Sequence, residues 1–314
     1  MPRDVASGSA PRVAILMATY NGARFLAAQL GSIGVQDHPL IDIVASDDGS
    51  TDDTGALLTK LGAAWRSGAF RWRQGPQKGF AENFRALLTD PAVSADYLAF
   101  CDQDDLWEQD KLAIAVRELA RFGDRPALFC SRTLLIDETD RVVGESPDFR
   151  RAPSFGNALV QSLAGGNTMV FNRAAHRLLA EAARRTGFVS HDWFAYQLIS
   201  GAGGEVIFSR RPLVRYRQHG GNLVGANRGV GPLLARLAAA FGGRFTRWND
   251  ENCRTLLACR DLLTKEARAQ FDLFRSARGG SVAERLGMIR AAGLFRQTPG
   301  GQFALYAAAL FGKV

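Results

Sequence analysis

The chain has 314 residues, 46% of them hydrophobic and 22% charged, with a formal net charge of +8. That composition is ordinary for a globular protein, and the length suits one large α/β domain with an appendage, or two domains. No run of about 18 apolar residues is present to cross a membrane. Cys101, Cys130, Cys253 and Cys259 lack the CxxC spacing of a zinc site or disulfide framework, so free thiols in a reducing cytosol are expected.

Residues 1–10 are small and polar, without the apolar core of a secretory signal, and are expected to form a disordered leader. Arg12 to Ala18 is a nearly unbroken apolar run and reads as a first buried strand. It enters the polar turn Thr19-Tyr20-Asn21-Gly22, after which Phe25, Leu26, Leu30 and Ile33 mark a helix over Ala23–Ile33. A second strand, Ile41–Ser46, leads into Asp47-Asp48-Gly49-Ser50-Thr51-Asp52-Asp53 and a helix to about Leu61. A third, Phe70–Arg73, precedes Gln77-Lys78-Gly79-Phe80-Ala81-Glu82-Asn83 and a helix to Leu88, and a fourth, from Tyr97, ends at Cys101. Four strand–loop–helix repeats predict a parallel sheet with helices on both faces, and such sheets bind ligands beyond the carboxyl ends of their strands. The unusual polar residues lie at those ends.

The loops contain neither GxGxxG nor GxxxxGK[ST], which argues against a dinucleotide site of the common kind and against a P-loop. Asp47 and Asp48 suit two jobs, hydrogen bonding to a ribose or base edge, or turn and capping chemistry. After Cys101 the chain places Asp102, Asp104 and Asp105 within four positions of a buried strand end, at a cost in repulsion and desolvation unless positive charge meets them. Asp105, with Glu108 three residues on, reads as the N-cap of a helix over Leu106–Phe122. Asp102 and Asp104 are left as oxygen ligands for a hard divalent cation.

Beyond Phe122, Ala127–Ser131 and Leu134–Ile136 read as short strands, with another near Val142. The double glycine Gly165-Gly166 precedes a strand, so something approaches the backbone closely there. Arg173–Thr186 is helical, and Val189-Ser190-His191-Asp192-Trp193-Phe194 opens a helix that Ser190 can cap, with Asp192 in its first turn. A strand from Leu213 carries Arg215 and Arg217 on one face into the turn His219-Gly220-Gly221. Residues 1–227 hold 25 basic and 25 acidic side chains, whereas 228–314 hold 14 and 6, so the last quarter supplies the whole excess. That region is helical, with Leu233, Leu234, Leu237 and Phe241 forming an apolar face beside Arg236, Arg244 and Arg247, and Leu256, Leu257, Leu262, Leu263, Phe271 and Phe274 continuing the spacing. Such helices either pack on the sheet or lie on an anionic membrane surface.

The segments Ala18-Thr-Tyr-Asn-Gly, Ser46-Asp-Asp-Gly-Ser-Thr-Asp, Phe100-Cys-Asp-Gln-Asp-Asp-Leu-Trp, His191-Asp-Trp and Tyr216-Arg-Gln-His-Gly together resemble glycosyltransferase family 2, and within it rhamnosyltransferase-like members. The resemblance implies a GT-A fold, a Rossmann-like and mostly parallel sheet flanked by helices. Residues 11–228 would form that domain and 229–314 a basic helical C-terminal extension. It also implies a nucleoside-diphosphate sugar donor, a divalent cation (Mg²⁺ or Mn²⁺) and inversion at the anomeric carbon. Carried over by position, Thr19, Tyr20 and Asp48, with Asn21 and Asp47, would hold base and ribose, and Lys78 and Asn83 would lie near the donor. Gln103, Gly166 and Arg217 complete the expected donor site. Asp102, Asp104 and His219 would serve the metal, and Asp192 would be the catalytic base; the family more often has Glu-Asp where this chain has His191-Asp192.

By that resemblance the enzyme moves a sugar, with rhamnose as first candidate, from a dTDP- or UDP-linked donor to a cell-surface glycan or lipid-linked acceptor. The expected setting is the cytoplasm, peripheral on the inner face of the membrane through the basic helices, with no nucleic-acid partner. Two rivals use the same residues differently. A metal-dependent phosphoester hydrolase or nucleotidyltransferase would release pyrophosphate or a nucleoside monophosphate. A non-catalytic docking protein would show no turnover with any donor.

Overall fold

The computed structural model describes residues 10–219 and 244–314. Most of the expected leader, Gly220 and Gly221 of the His-Gly-Gly turn, the boundary at 228 and the helical face of Leu233, Leu234, Arg236, Leu237 and Phe241 lie outside the described residues.

The first three repeats and the fourth strand fold as read. Strands β1 (Val13–Thr19), β2 (Ile41–Asp47), β3 (Phe70–Gln74) and β4 (Tyr97–Cys101) alternate with helices α1 (Ala23–Gly34), α2 (Thr54–Ala64) and α3 (Phe80–Leu88). The four strands are parallel, in the order β3-β2-β1-β4. The apolar runs are unbroken because both faces are covered: Val13, Ile15 and Met17 of β1 meet one core, and Ala14 and Leu16 meet the other.

The sheet continues through β5 (Leu106–Trp107), β6 (Ala127–Ile136), β7 (Val142–Glu145), β8 (Val170–Asn172) and β9 (Glu205–Arg217). Its full order is β3-β2-β1-β4-β8-β6-β9-β5, with β7 paired to β6. Strand β8 runs antiparallel between β4 and β6, and β5 runs antiparallel to β9. Helices α1, α2 and α4 (Lys111–Leu119) bury Leu26, Leu30, Leu58, Leu112 and Leu119 against one face. On the other face lie α3, α5 (Phe155–Ala158), α6 (Arg173–Arg185) and α7 (His191–Gly201).

Helices α8 (Arg244–Ala258), α9 (Lys265–Arg278), α10 (Val282–Ala291) and α11 (Pro299–Leu310) enlarge that second core with Leu256, Phe271, Phe274, Met288 and Leu305. Leu257, expected on their apolar face, is exposed. Among the described residues no helix is long and apolar enough to cross a membrane.

Three expectations fail locally. Leu106 and Trp107 are extended, because they pair with Arg215 and Val214 of β9, so α4 starts only at Lys111 and Asp105 caps nothing. Glu108 correspondingly accepts from Arg215 Nε at 2.7 Å and closes no capping box. The two strands expected over 127–136 are one strand, whose register against β9 shifts around Arg132. Ser190 occupies the N-cap position of α7, but its side chain makes no cap bond.

Candidate active site

The ends of β1, β2, β4 and β9 bring four polar segments together, and most of their side chains are engaged in fixing one another. Thr19 Oγ1 donates to Asp47 Oδ1 at 2.8 Å, and Asp47 also accepts the amide and hydroxyl of Ser50 at 2.9 and 2.6 Å. Asn21 sits in the left-handed region (φ 48°); its amide donates to Ser50 Oγ, and its side chain accepts the Thr51 amide, each at 2.8 Å. Gln103 completes the lacing like a short strand, accepting from Tyr20 N at 2.8 Å and donating to Tyr20 O at 2.9 Å. A side chain at Gly22 would collide with Gln103, its Cβ falling 2.1 Å from Oε1. With its backbone held this way, Tyr20 presents a ring that is 57% exposed.

Asp48 performs the equivalent task for the next loop. Its carboxylate accepts the amides of Gln77 at 2.7 Å and Gly79 at 2.6 Å, both left-handed residues, which leaves Lys78 exposed at the rim. Asn83 is buried and donates to Ser46 O at 2.8 Å, tying α3 to the end of β2. Of the two jobs open to Asp47 and Asp48, turn chemistry is therefore occupied by named partners.

The acidic loop after β4 is the electrostatic centre. Burial is the main cause that pushes the Asp102 carboxyl well above its usual range, and the charges of Asp105, Asp104 and Asp192 add to it. Asp192 sits in the first turn of α7, where it accepts from Ser162 Oγ at 3.2 Å. Asp104 Oδ2 shares a 2.8 Å hydrogen bond with His219 Nε2. Asp105 is fully buried, accepting from Asn167 Nδ2 at 2.5 Å and from the Arg217 amide at 3.1 Å, and burial above all raises it to about 7.

Positive charge meets this loop from beneath. The Lys111 ammonium is buried, donates to Asn167 O at 2.7 Å and lies over the Trp107 ring, and burial lowers it to about 7. Arg217, expected at the donor, is instead turned into the protein. Its Nε donates to Asp104 O at 2.8 Å, its Nη1 contacts Asp137 O and Asp140, and its guanidinium stacks on Phe25. It acts on the site through the Asp104 backbone. Gly166 packs on His191, whose Nε2 would lie 1.8 Å from a Cβ there. His191 is stacked on Phe84 with neither ring nitrogen hydrogen-bonded, and burial lowers it to about 4.

Sequence reasoning missed Lys111, Asn167 and Ser162. Lys111 had one visible signal, a lysine that closely follows three carboxylates in the sequence. Ser162 had none. Among the described residues no three His, Cys, Asp or Glu side chains form a metal-binding group on their own.

The chain is 28% identical to the dTDP-rhamnosyl transferase RfbG of Shigella flexneri over 219 residues, 67% of this chain and 74% of the relative. It is 32% identical over 104 residues to an uncharacterized glycosyltransferase of Nostoc, which spans 32% of this chain and 30% of that one. The fold is that of the GT-A glycosyltransferases, as in S. aureus TarS, with a TM-score of 0.55 at 14% identity over 96% of this chain and 88% of that one. The complex of TarS with UDP-GlcNAc superimposes with a TM-score of 0.53, again at 14% identity, over 90% of this chain and 93% of that one. Residues 14–177, half of the chain, match glycosyl transferase family 2, and the chain belongs to that family of nucleotide-sugar transferases.

Proposed function

We propose that the protein is an inverting transferase that moves a sugar, rhamnose first among candidates, from a dTDP- or UDP-linked donor to a hydroxyl of a glycan or lipid-linked acceptor. The observation that supports the reading is that Asp192, in the first turn of α7, accepts from Ser162 Oγ, and that its charge adds to those that raise the Asp102 carboxyl of the acidic loop. An acceptor hydroxyl must lose its proton in the transition state, and a carboxylate opposite the leaving group takes it. Asp192 is assigned that role, with Ser162 orienting it. The likeness to RfbG supports rhamnose.

A divalent cation, when bound, neutralises the leaving diphosphate. The residues fit Mg²⁺ or Mn²⁺, which take one or two protein ligands and leave their other positions to phosphate and water. Asp104 and His219 offer a carboxylate oxygen and an imidazole nitrogen already in contact, and Asp102 stands beside them. Arg217 holds the Asp104 carbonyl from behind, fixing the direction in which the carboxylate points. At the nucleotide end, Tyr20 offers its exposed ring to a base, and Lys78 offers an ammonium to phosphate.

Replacing Asp192 with asparagine tests the assignment. Turnover should fall by about 10²–10⁴-fold, the contribution typical of a positioned base, while donor binding survives. Near-normal transfer by that variant would overturn it.

A further inference from the structure

The last helix carries a feature that sugar transfer does not use. Helix α11 has no charged residue and buries only Leu305 and Ala309. Phe303 is 75% exposed, Tyr306 44%, Leu310 47% and the following Phe311 64%. Steps of three and four residues place Phe303, Tyr306 and Leu310 on one stripe. The helix is held firmly: Thr298 caps its start, and Arg285 donates to Ala309 O at 2.6 Å and Leu310 O at 3.3 Å at its end. The exposed stripe thus belongs to a well-anchored element and not to a frayed terminus.

Its surroundings are basic. Arg290 and Arg151 line one groove with Tyr306, and Arg151 stacks 3.6 Å above Phe295. Residues 244–314 contain 12 Lys and Arg against 6 Asp and Glu. Aromatic and aliphatic side chains on one helix face, flanked by arginine, are what a bilayer surface rich in anionic headgroups binds. Tyr306 belongs both to the stripe and to the groove lined by Arg151 and Arg290, so the apolar and basic surfaces are continuous.

We infer that α11 docks the enzyme on an anionic phospholipid surface, with Phe303, Tyr306 and Leu310 entering the interface and Arg151 and Arg290 meeting the headgroups. The face is mechanically joined to the candidate base. Gln297 N donates to Gln161 Oε1 at 2.8 Å and Asn157 Nδ2 to Phe295 O at 2.8 Å, and the same segment ends at Ser162, which donates to Asp192. On the reading of Asp192 proposed above, docking brings a lipid-linked acceptor to the side where its hydroxyl is deprotonated. The docking itself does not depend on that reading.

Sedimentation of the full chain with vesicles tests it. The protein should pellet with mixed phosphatidylcholine–phosphatidylglycerol vesicles and stay in solution with phosphatidylcholine alone. Binding should weaken near 1 M salt, where the screening length is about 3 Å. The double variant Phe303→Ser, Leu310→Ser should lose about tenfold or more of its partitioning with an unchanged melting temperature. Arg151→Glu with Arg290→Glu should lose binding to the anionic vesicles as well. Absence of wild-type binding, or binding by the Phe303→Ser, Leu310→Ser variant equal to wild type, would overturn the inference. So would a wild-type dimer that the double variant abolishes, because the stripe would then belong to a second copy. Loss of vesicle binding with retained transfer to a water-soluble acceptor would separate docking from catalysis.

Discussion

Replacing Lys111 with methionine removes the buried amine beneath the acidic loop and keeps most of the side chain's volume. The wild-type ammonium is lowered to about 7 by burial, against about 10.4 in an unfolded chain. A lysine depressed in the folded state binds fewer protons there than in the unfolded state between those values. Stability therefore rises with pH across that interval. Between about pH 7 and 8.5 the rise attributable to Lys111 is about 1.5 kcal/mol. The interval stops there for a reason: burial pushes the thiols of Cys101, Cys130, Cys253 and Cys259 upward, and these pull stability down once unfolded thiols ionise. Asp105, raised to about 7, adds a smaller fall, and losing the Lys111 charge raises it further in the variant, which acts in the same direction. Urea unfolding followed by tryptophan fluorescence, with chelator present, should give the variant a smaller gain over this interval by about 1.5 kcal/mol. An equal gain in both proteins would refute the account of Lys111 as a buried, titrating amine.

His191 gives the complementary acid-side test. Burial lowers it to about 4, so the unfolded chain binds the extra proton first and stability is lost as pH falls through 6.5. His191→Met should remove about 2 kcal/mol of the stability lost between about pH 7 and 5, read by the same urea titrations; unchanged acid sensitivity would count against it. Arg217→Lys cannot reproduce the fork that reaches the Asp104 carbonyl, Asp137 carbonyl and Asp140. It should cost about 2–4 kcal/mol, seen as a clearly lower melting temperature, and an unchanged melting curve would contradict the positioning role.

The sheet was legible because β1, β2 and β4 are buried on both faces, and each apolar run ends in a polar turn. The two-residue strand at Leu106 was not, since so short a segment has no period and its extended form is imposed by pairing with β9. Strand β9 begins eight residues before the expected start at Leu213, because Ser209, Arg210 and Arg211 break its apolar pattern in sequence. In the candidate site, residue type pointed to loops that the structure brings together but not to the partners of their side chains. Asp48 and Gln103 read as groups for a ligand, and in the structure they bind backbone amides of neighbouring loops. Those contacts join residues about 30 and 83 positions apart, a distance over which local pattern carries no information. Lys111 was hidden for a related reason: it starts a helix like any surface lysine, and only the packing of Trp107 and Asn167 takes it out of water.

The most direct measurement is calorimetric titration of the protein with dTDP and with UDP, each with and without Mn²⁺, repeated for Asp104→Asn. If Asp104 and His219 hold a cation against the diphosphate, Mn²⁺ should tighten binding of at least one nucleotide by about tenfold or more, and Asp104→Asn should abolish that gain. Nucleotide binding that is equal with and without the metal, or a gain that survives in the variant, would contradict it.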